Sequence, residues 1–186
     1  MLSVADKRLL LATARLALEV TVGTRPPAEL DTLSVVREPG GAFVTIWRLE
    51  GGERHLRGCI GKIIAEEALS KTVVKMTAEA ATKDPRFPPV TADELPELLL
   101  EISVLSVPEP ASPEDVIPGV HGIILRRGPR TGLLLPQVAS ERGWDRETFL
   151  DHGCLKAGLK PGCWKDELVG LSLFTATVFD ESSLPM

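Results

Sequence analysis

The sequence predicts an α+β protein with antiparallel or mixed sheets, and three observations carry that expectation. Short β-type runs are separated by glycine turns. Amphipathic helical stretches interrupt them. The order strand, strand, strand, helix, helix, strand occurs twice, over about residues 33–107 and 116–179.

Residues 4–20 form the first predicted helix. Ser3 caps it with Asp6 in capping-box position, and Leu9, Ala12, Leu16 and Val20 recur on one face. Pro26 and Pro27 end the element, because proline cannot continue a helix. Three β runs follow: Leu33 to Arg37, then residues 42–50 after the turn at 39–41, then His55 to Gly61 after Gly51-Gly52. From Ala65 to Lys83 the period becomes helical, with Leu69, Val73, Met76 and Ala80 in one stripe. The run DPRFPPV (84–90) stops that helix and makes a rigid loop. Thr91 and Glu94 mark a capping box for a short helix to Leu95, and residues 98–107 read as a buried strand.

The second half repeats the order. A weak run at Val116–Ile117 precedes strands at 120–127 and 131–135, which are joined by a turn at Gly128-Pro129. Pro136 opens one or two helical turns from the first helical position. Asp145 caps a helix to Ala157 that places Phe149, Leu150, Cys154 and Ala157 on one stripe, and Gly158 stops it. Residues 168–179 read as one long strand.

Composition excludes several functions. A chain of 186 residues is of one-domain length and buries about 70% of its unfolded surface. Its net charge of −5 and its 4% aromatic content argue against nucleic-acid backbone binding and base stacking. No uncharged apolar run reaches membrane-spanning length; the N-terminal LLLATA is bracketed by Arg8 and Arg15 and has no signal-peptide cleavage pattern. Cys59, Cys154 and Cys163 form no C-x-x-C pair, Cys154 reads as core and Cys163 has no evident partner, which fits a reducing cytoplasmic setting. Three scattered histidines and three cysteines give no zinc spacing. There is no phosphate loop, no dinucleotide fingerprint and no iron–sulfur cysteine run. No metal or cofactor is therefore expected.

The stretch RHLRGCIGKI (54–63) holds the chemistry-bearing residues. In a regular strand His55, Arg57, Cys59 and Gly61 share one face, with neighbours about 6–7 Å apart. Arg57 would then favour the thiolate of Cys59, and Gly58 and Gly61 would let a ligand or another backbone approach. The same residues also fit a plain strand in which Cys59 is a small buried filler and Arg57 covers the sheet with its stem. Asp84 and Arg86 either bind a ligand's charge or stiffen their own loop. His121, on a strand face with Ile123 and Leu125, is either a hydrogen-bonded core residue or the base for Cys59 if the halves pack together. Gln137 either orients a ligand or caps its turn, and the cluster Arg126, Arg127, Arg130 is either a solvated hairpin tip or an anion contact.

The hexapeptide LRGCIG (56–61) resembles the signature of the AMMECR domain family, the A component of the AmmeMemoRadiSam system. The resemblance continues through DPRFPPV (84–90), LEISVLS (100–106), GVHGIILRRGPRTGLLLPQVA (119–139) and FLDHGCLKAGL (149–159), in order over nearly the whole chain. It implies one AMMECR domain over 1–186, built as two β3α2β repeats with an extra N-terminal helix and C-terminal strand. It implies Memo-like and radical SAM proteins as partners, an unidentified small molecule, and no assigned reaction. Carried over by residue, it marks Arg57, Gly58, Cys59, Gly61, Asp84, Arg86, Pro136, Gln137 and Cys154. Two functions follow. One is a ligand-binding or system component working through the LRGCIG strand; the other is a thiol enzyme with Cys59 as nucleophile or redox residue, Arg57 beside it and His121 or His55 as base.

Overall fold

The computed structural model describes residues 2–32, 36–64 and 66–184, which fall into two compact units, one of 1–105 with 177–186 and one of 106–176. The α+β class holds, with antiparallel pairing throughout the registers that follow.

In the first unit, helix α1 (Val4–Thr21) begins at the Ser3–Asp6 capping box. Its buried residues are Leu10, Leu11, Thr13, Ala14, Ala17 and Leu18, so the buried face is not the expected Leu9, Ala12, Leu16, Val20 stripe. A 3-10 turn (Pro27–Thr32) follows. The expected strand at 33–37 falls mostly outside the described residues, and Val36 and Arg37 are not in a strand. Strands β1 (Ala42–Glu50) and β2 (Glu53–Lys62) form a hairpin around Gly51 and Gly52, both at positive φ. Helix α2 (Leu69–Thr82) buries the predicted stripe, a 3-10 turn (Ala92–Glu97) carries the Thr91–Glu94 capping box, and β3 (Leu98–Leu105) returns beside β1. With β8 (Ala176–Asp180) the strand order is β2-β1-β3-β8. Val44, Ile46, Leu100 and Ile102 from the sheet meet Leu10, Leu18, Val73 and Met76 from the helices. Each such side chain contributes about 1.5–3 kcal/mol by leaving water.

The second unit contains β4 (Glu109–Pro110), a 3-10 turn (Pro113–Asp115), the β5 (Gly122–Arg127) and β6 (Arg130–Leu134) hairpin, α3 (Pro136–Arg142), α4 (Arg146–Lys156), a 3-10 turn (Cys163–Lys165) and β7 (Gly170–Phe174). Its strand order is β4-β7-β5-β6. The core gathers Val116, Ile123, Leu125, Phe149, Leu150 and Leu171. Val116–Ile117 is not a strand; it follows the 3-10 turn. The expected strand at 168–179 is two, broken at Thr175, with β7 in the second sheet and β8 in the first.

One cysteine expectation is corrected. Cys154 and Cys163 are joined by a disulfide with Cα atoms 5.8 Å apart. Glycines 158 and 162, at φ of 70° and 79°, turn the chain back after α4 and bring Cys163 to the helix. Unpaired cysteines therefore no longer speak for a reducing compartment.

Candidate functional site around Cys59

Cys59 sits where β2 leaves the regular pleat. Trp47 of β1 pairs with Leu56 and Ile46 pairs with Gly58, so Arg57 is the extra residue of a bulge. The bulge overturns the shared face expected from alternation. Cys59 and Gly61 oppose Thr45 and Phe43, whereas His55 opposes Arg48 and falls in the other phase. His55 is exposed and away from the thiol's face.

Both glycines of the hexapeptide have a packing reason. A Cβ on Gly58 would stand 2.4 Å from the Ala80 carbonyl oxygen, so this glycine admits the α2 backbone. A Cβ on Gly61 would stand 2.2 Å from the Phe43 ring, which lies across it.

Arg57 is buried and engaged at all three guanidinium nitrogens. Its Nε and Nη2 donate to the two Glu94 oxygens at 2.7 and 3.0 Å, Nη1 donates to the Pro88 carbonyl at 2.9 Å, and Nη2 also reaches the Pro89 carbonyl at 3.3 Å. Prolines lack an N–H but keep a strong acceptor, so the guanidinium clamps the 84–90 loop through carbonyls that no strand satisfies. Glu94 also accepts from the Thr91 N–H at 2.9 Å, and the Arg57 hydrogen bonds hold its carboxyl below the usual carboxylate range. Arg57 is thus tied to Glu94 and the loop rather than to the thiol.

The cation felt at the Cys59 sulfur is Arg86. The Cys59 N–H donates to Oδ2 of buried Asp84 at 2.8 Å. The same carboxylate accepts Nε of Arg86 at 2.9 Å, Nη2 at 2.7 Å and the Arg86 backbone N–H at 3.1 Å. These bonds from Arg86 lead the effects that hold Asp84 well below the ordinary carboxylate range. The Arg86 side chain is still 53% exposed, and its Nη1 has no hydrogen-bond partner among the described residues.

The balance of effects at the Cys59 thiol leans towards the neutral form. Burial dominates and pushes its pKa up; a Thr45 hydroxyl donating at 3.3 Å and the Arg86 charge pull it down, while Asp84 and Glu101 push it up again. Nucleophilic cysteines need the opposite balance.

The structure thus brings Cys59, Asp84 and Arg86 together and sets Arg57 and Glu94 beside them as the loop's clamp. His121 and Gln137 belong to the second unit. There His121 Nδ1 accepts the Ile117 N–H at 3.2 Å, and the Gln137 carbonyl accepts the Ser140 hydroxyl at 3.0 Å. Cys154 is buried in the disulfide, and Pro136 is buried at the first position of α3. Sequence reasoning missed Thr45, and saw Glu94 only as half of a capping box. Among the described residues no group of three or more His, Cys, Asp or Glu could hold a metal, and no helix is long and apolar enough to cross a membrane.

Fold and site define an α+β protein with two four-stranded sheets and a clamped cysteine strand. The chain belongs to the AMMECR1 family, whose model matches residues 11–179. A protein of Methanothermobacter thermautotrophicus is 41% identical, with 97% of this chain and 96% of that one covered. A protein of Sulfolobus acidocaldarius is 44% identical over 79% of this chain and 68% of its own length. The crystal structure of uncharacterized protein PH0010 from Pyrococcus horikoshii superposes with a TM-score of 0.80 at 40% identity, covering 94% of this chain and 90% of that one.

Proposed function

We propose that this protein is a non-catalytic, ligand-binding component of a system that includes Memo-like and radical SAM proteins, acting through the 56–61 strand and the 84–90 loop. The partners follow from the resemblance of LRGCIG to the A component of the AmmeMemoRadiSam system. The observation that carries the binding part is Arg86, which a buried carboxylate holds through Nε and Nη2 while its side chain stays half exposed. Cys59 contributes its backbone N–H to this arrangement and fills space with its sulfur, since a thiol with a raised pKa is a poor nucleophile.

Co-purification of the tagged protein with the Memo-like and radical SAM proteins of its own organism tests the reading. Association survives Cys59→Ser and weakens in Arg86→Ala. If neither protein co-purifies under any condition, or Cys59→Ser abolishes association while the fold is intact, the reading falls. A second reading, a thiol enzyme, has support in the Thr45 hydrogen bond and the Arg86 charge, which both favour the thiolate.

A further inference from the structure

A cleft of about 580 Å³ opens in the second unit between the β5–β6 turn and the loop that follows α4. It falls within the range of small-molecule sites, about 300–1,000 Å³. Arg127 and Arg130 come from the turn, Lys160 from the loop, and Asp166 is the one acidic residue in the lining. Asp166 pairs with Arg127 at 3.2 Å, and Arg130 donates to the Gly158 carbonyl at 3.2 Å. The Lys160 carbonyl accepts the Cys163 N–H at 3.2 Å, and its ammonium has no hydrogen bond or ion pair among the described residues. The lining thus holds three cations and one carboxylate in a protein whose net charge is −5.

The loop that carries Lys160 is held at three points. Leu159 N–H donates to the Cys154 carbonyl at 2.9 Å. Asp151 accepts the Gly162 N–H at 2.7 Å and the Trp164 indole at 2.8 Å. The disulfide ties Cys163, part of the lining, to Cys154. A wall fixed this way costs little ordering entropy when a ligand enters.

From this arrangement we infer that the cleft is a binding site for a small, multiply charged anion. Arg127 and Arg130 supply the planar donors and Lys160 the unpartnered charge. The site is built wholly from residues 127–166 and is separate from the Cys59 region in sequence and in unit. Its ligand carries phosphoryl or carboxylate groups, and the two probes below distinguish them.

Isothermal titration calorimetry of the oxidised protein at fixed ionic strength, with inorganic pyrophosphate and with succinate, tests the site. Saturable one-to-one binding of at least one probe is expected, weakened about tenfold by Arg130→Ala and by Lys160→Ala. Both residues are exposed, so these variants keep the fold. Arg126→Ala removes the same charge from an exposed position outside the lining and leaves the affinity unchanged. Binding of neither probe overturns the inference. So does an equal loss in Arg126→Ala, which would mean diffuse attraction instead of a site.

Discussion

Gly58 on β2 and Gly132 on β6 occupy matching places in the two units. Each lies on the second strand of a hairpin, opposite a core residue of the first strand, Ile46 in one case and Leu125 in the other. An added Cβ would stand 2.4 Å from the Ala80 carbonyl oxygen of α2 in the first unit and 2.4 Å from the Gly153 carbonyl oxygen of α4 in the second. The sheets also share an order, since β3 lies beside β1 as β7 lies beside β5. What secures the chain around each helix differs. In the first unit the loop after α2 is held by charge: Arg57 on Glu94 and the proline carbonyls, Asp84 on Cys59 and Arg86. In the second, the chain after α4 is held by a covalent bond and by Asp151. Ionic bonds answer to pH and to removal of one partner, whereas a disulfide answers to reduction.

The largest difference is expected from Arg57→Ala, which strands Glu94 and two loop carbonyls. The loss is about 3 kcal/mol in denaturant unfolding, at the low end for a broken buried pair because Glu94 keeps some exposure. Arg57→Lys recovers only part of it, since an ammonium cannot make the forked contact. Reduction of the disulfide is expected to cost about 2.5 kcal/mol, from the chain entropy regained by a loop of 9 residues' separation. By hydrogen exchange that loss falls on α4 and the strands packed on it and leaves β1–β3 unchanged; exchange spread evenly over both units would erase the distinction drawn here.

Gly58→Ala and Gly132→Ala are expected to lose about 2 kcal/mol each by overpacking against helix backbone. A large loss at one position and none at the other would break their equivalence. Asp84→Asn sharpens the comparison through pH. Asp84 is held below its unfolded pKa chiefly by Arg86, so its contribution is complete above the ordinary carboxylate pKa of about 3.9 and fades as pH falls below it. The variant is therefore less stable by about 1–2 kcal/mol at pH 7, and the gap to the parent starts to narrow below about pH 4 and closes only once pH falls past the depressed folded-state pKa.

The sequence made some of this legible and hid the rest for physical reasons. Single-stripe helices read correctly: Leu69, Val73, Met76 and Ala80 in α2, and Phe149, Leu150 and Cys154 in α4. The first helix has apolar residues around most of its circumference, so the period fits more than one stripe, and the buried one runs through Leu10, Leu11, Ala14, Ala17 and Leu18. The bulge at Arg57 has no marker in the strand itself, yet it shifts His55 out of phase with Cys59. Proximity of Asp84 to Cys59 spans 25 positions, and no local pattern encodes it. The Cys154–Cys163 pairing needed two left-handed glycines to fold the chain back, which spacing alone does not reveal.

Native-state alkylation of Cys59 as a function of pH tests the central claim, that the LRGCIG strand is a clamped binding element with an unactivated thiol. Cys59 is the free cysteine, so the readout by mass spectrometry has one site in the oxidised protein. The midpoint of the rate profile is expected above the ordinary cysteine pKa of about 8.5. A midpoint near or below pH 7, with fast labelling of the folded protein, would contradict the account and restore Cys59 as a nucleophile.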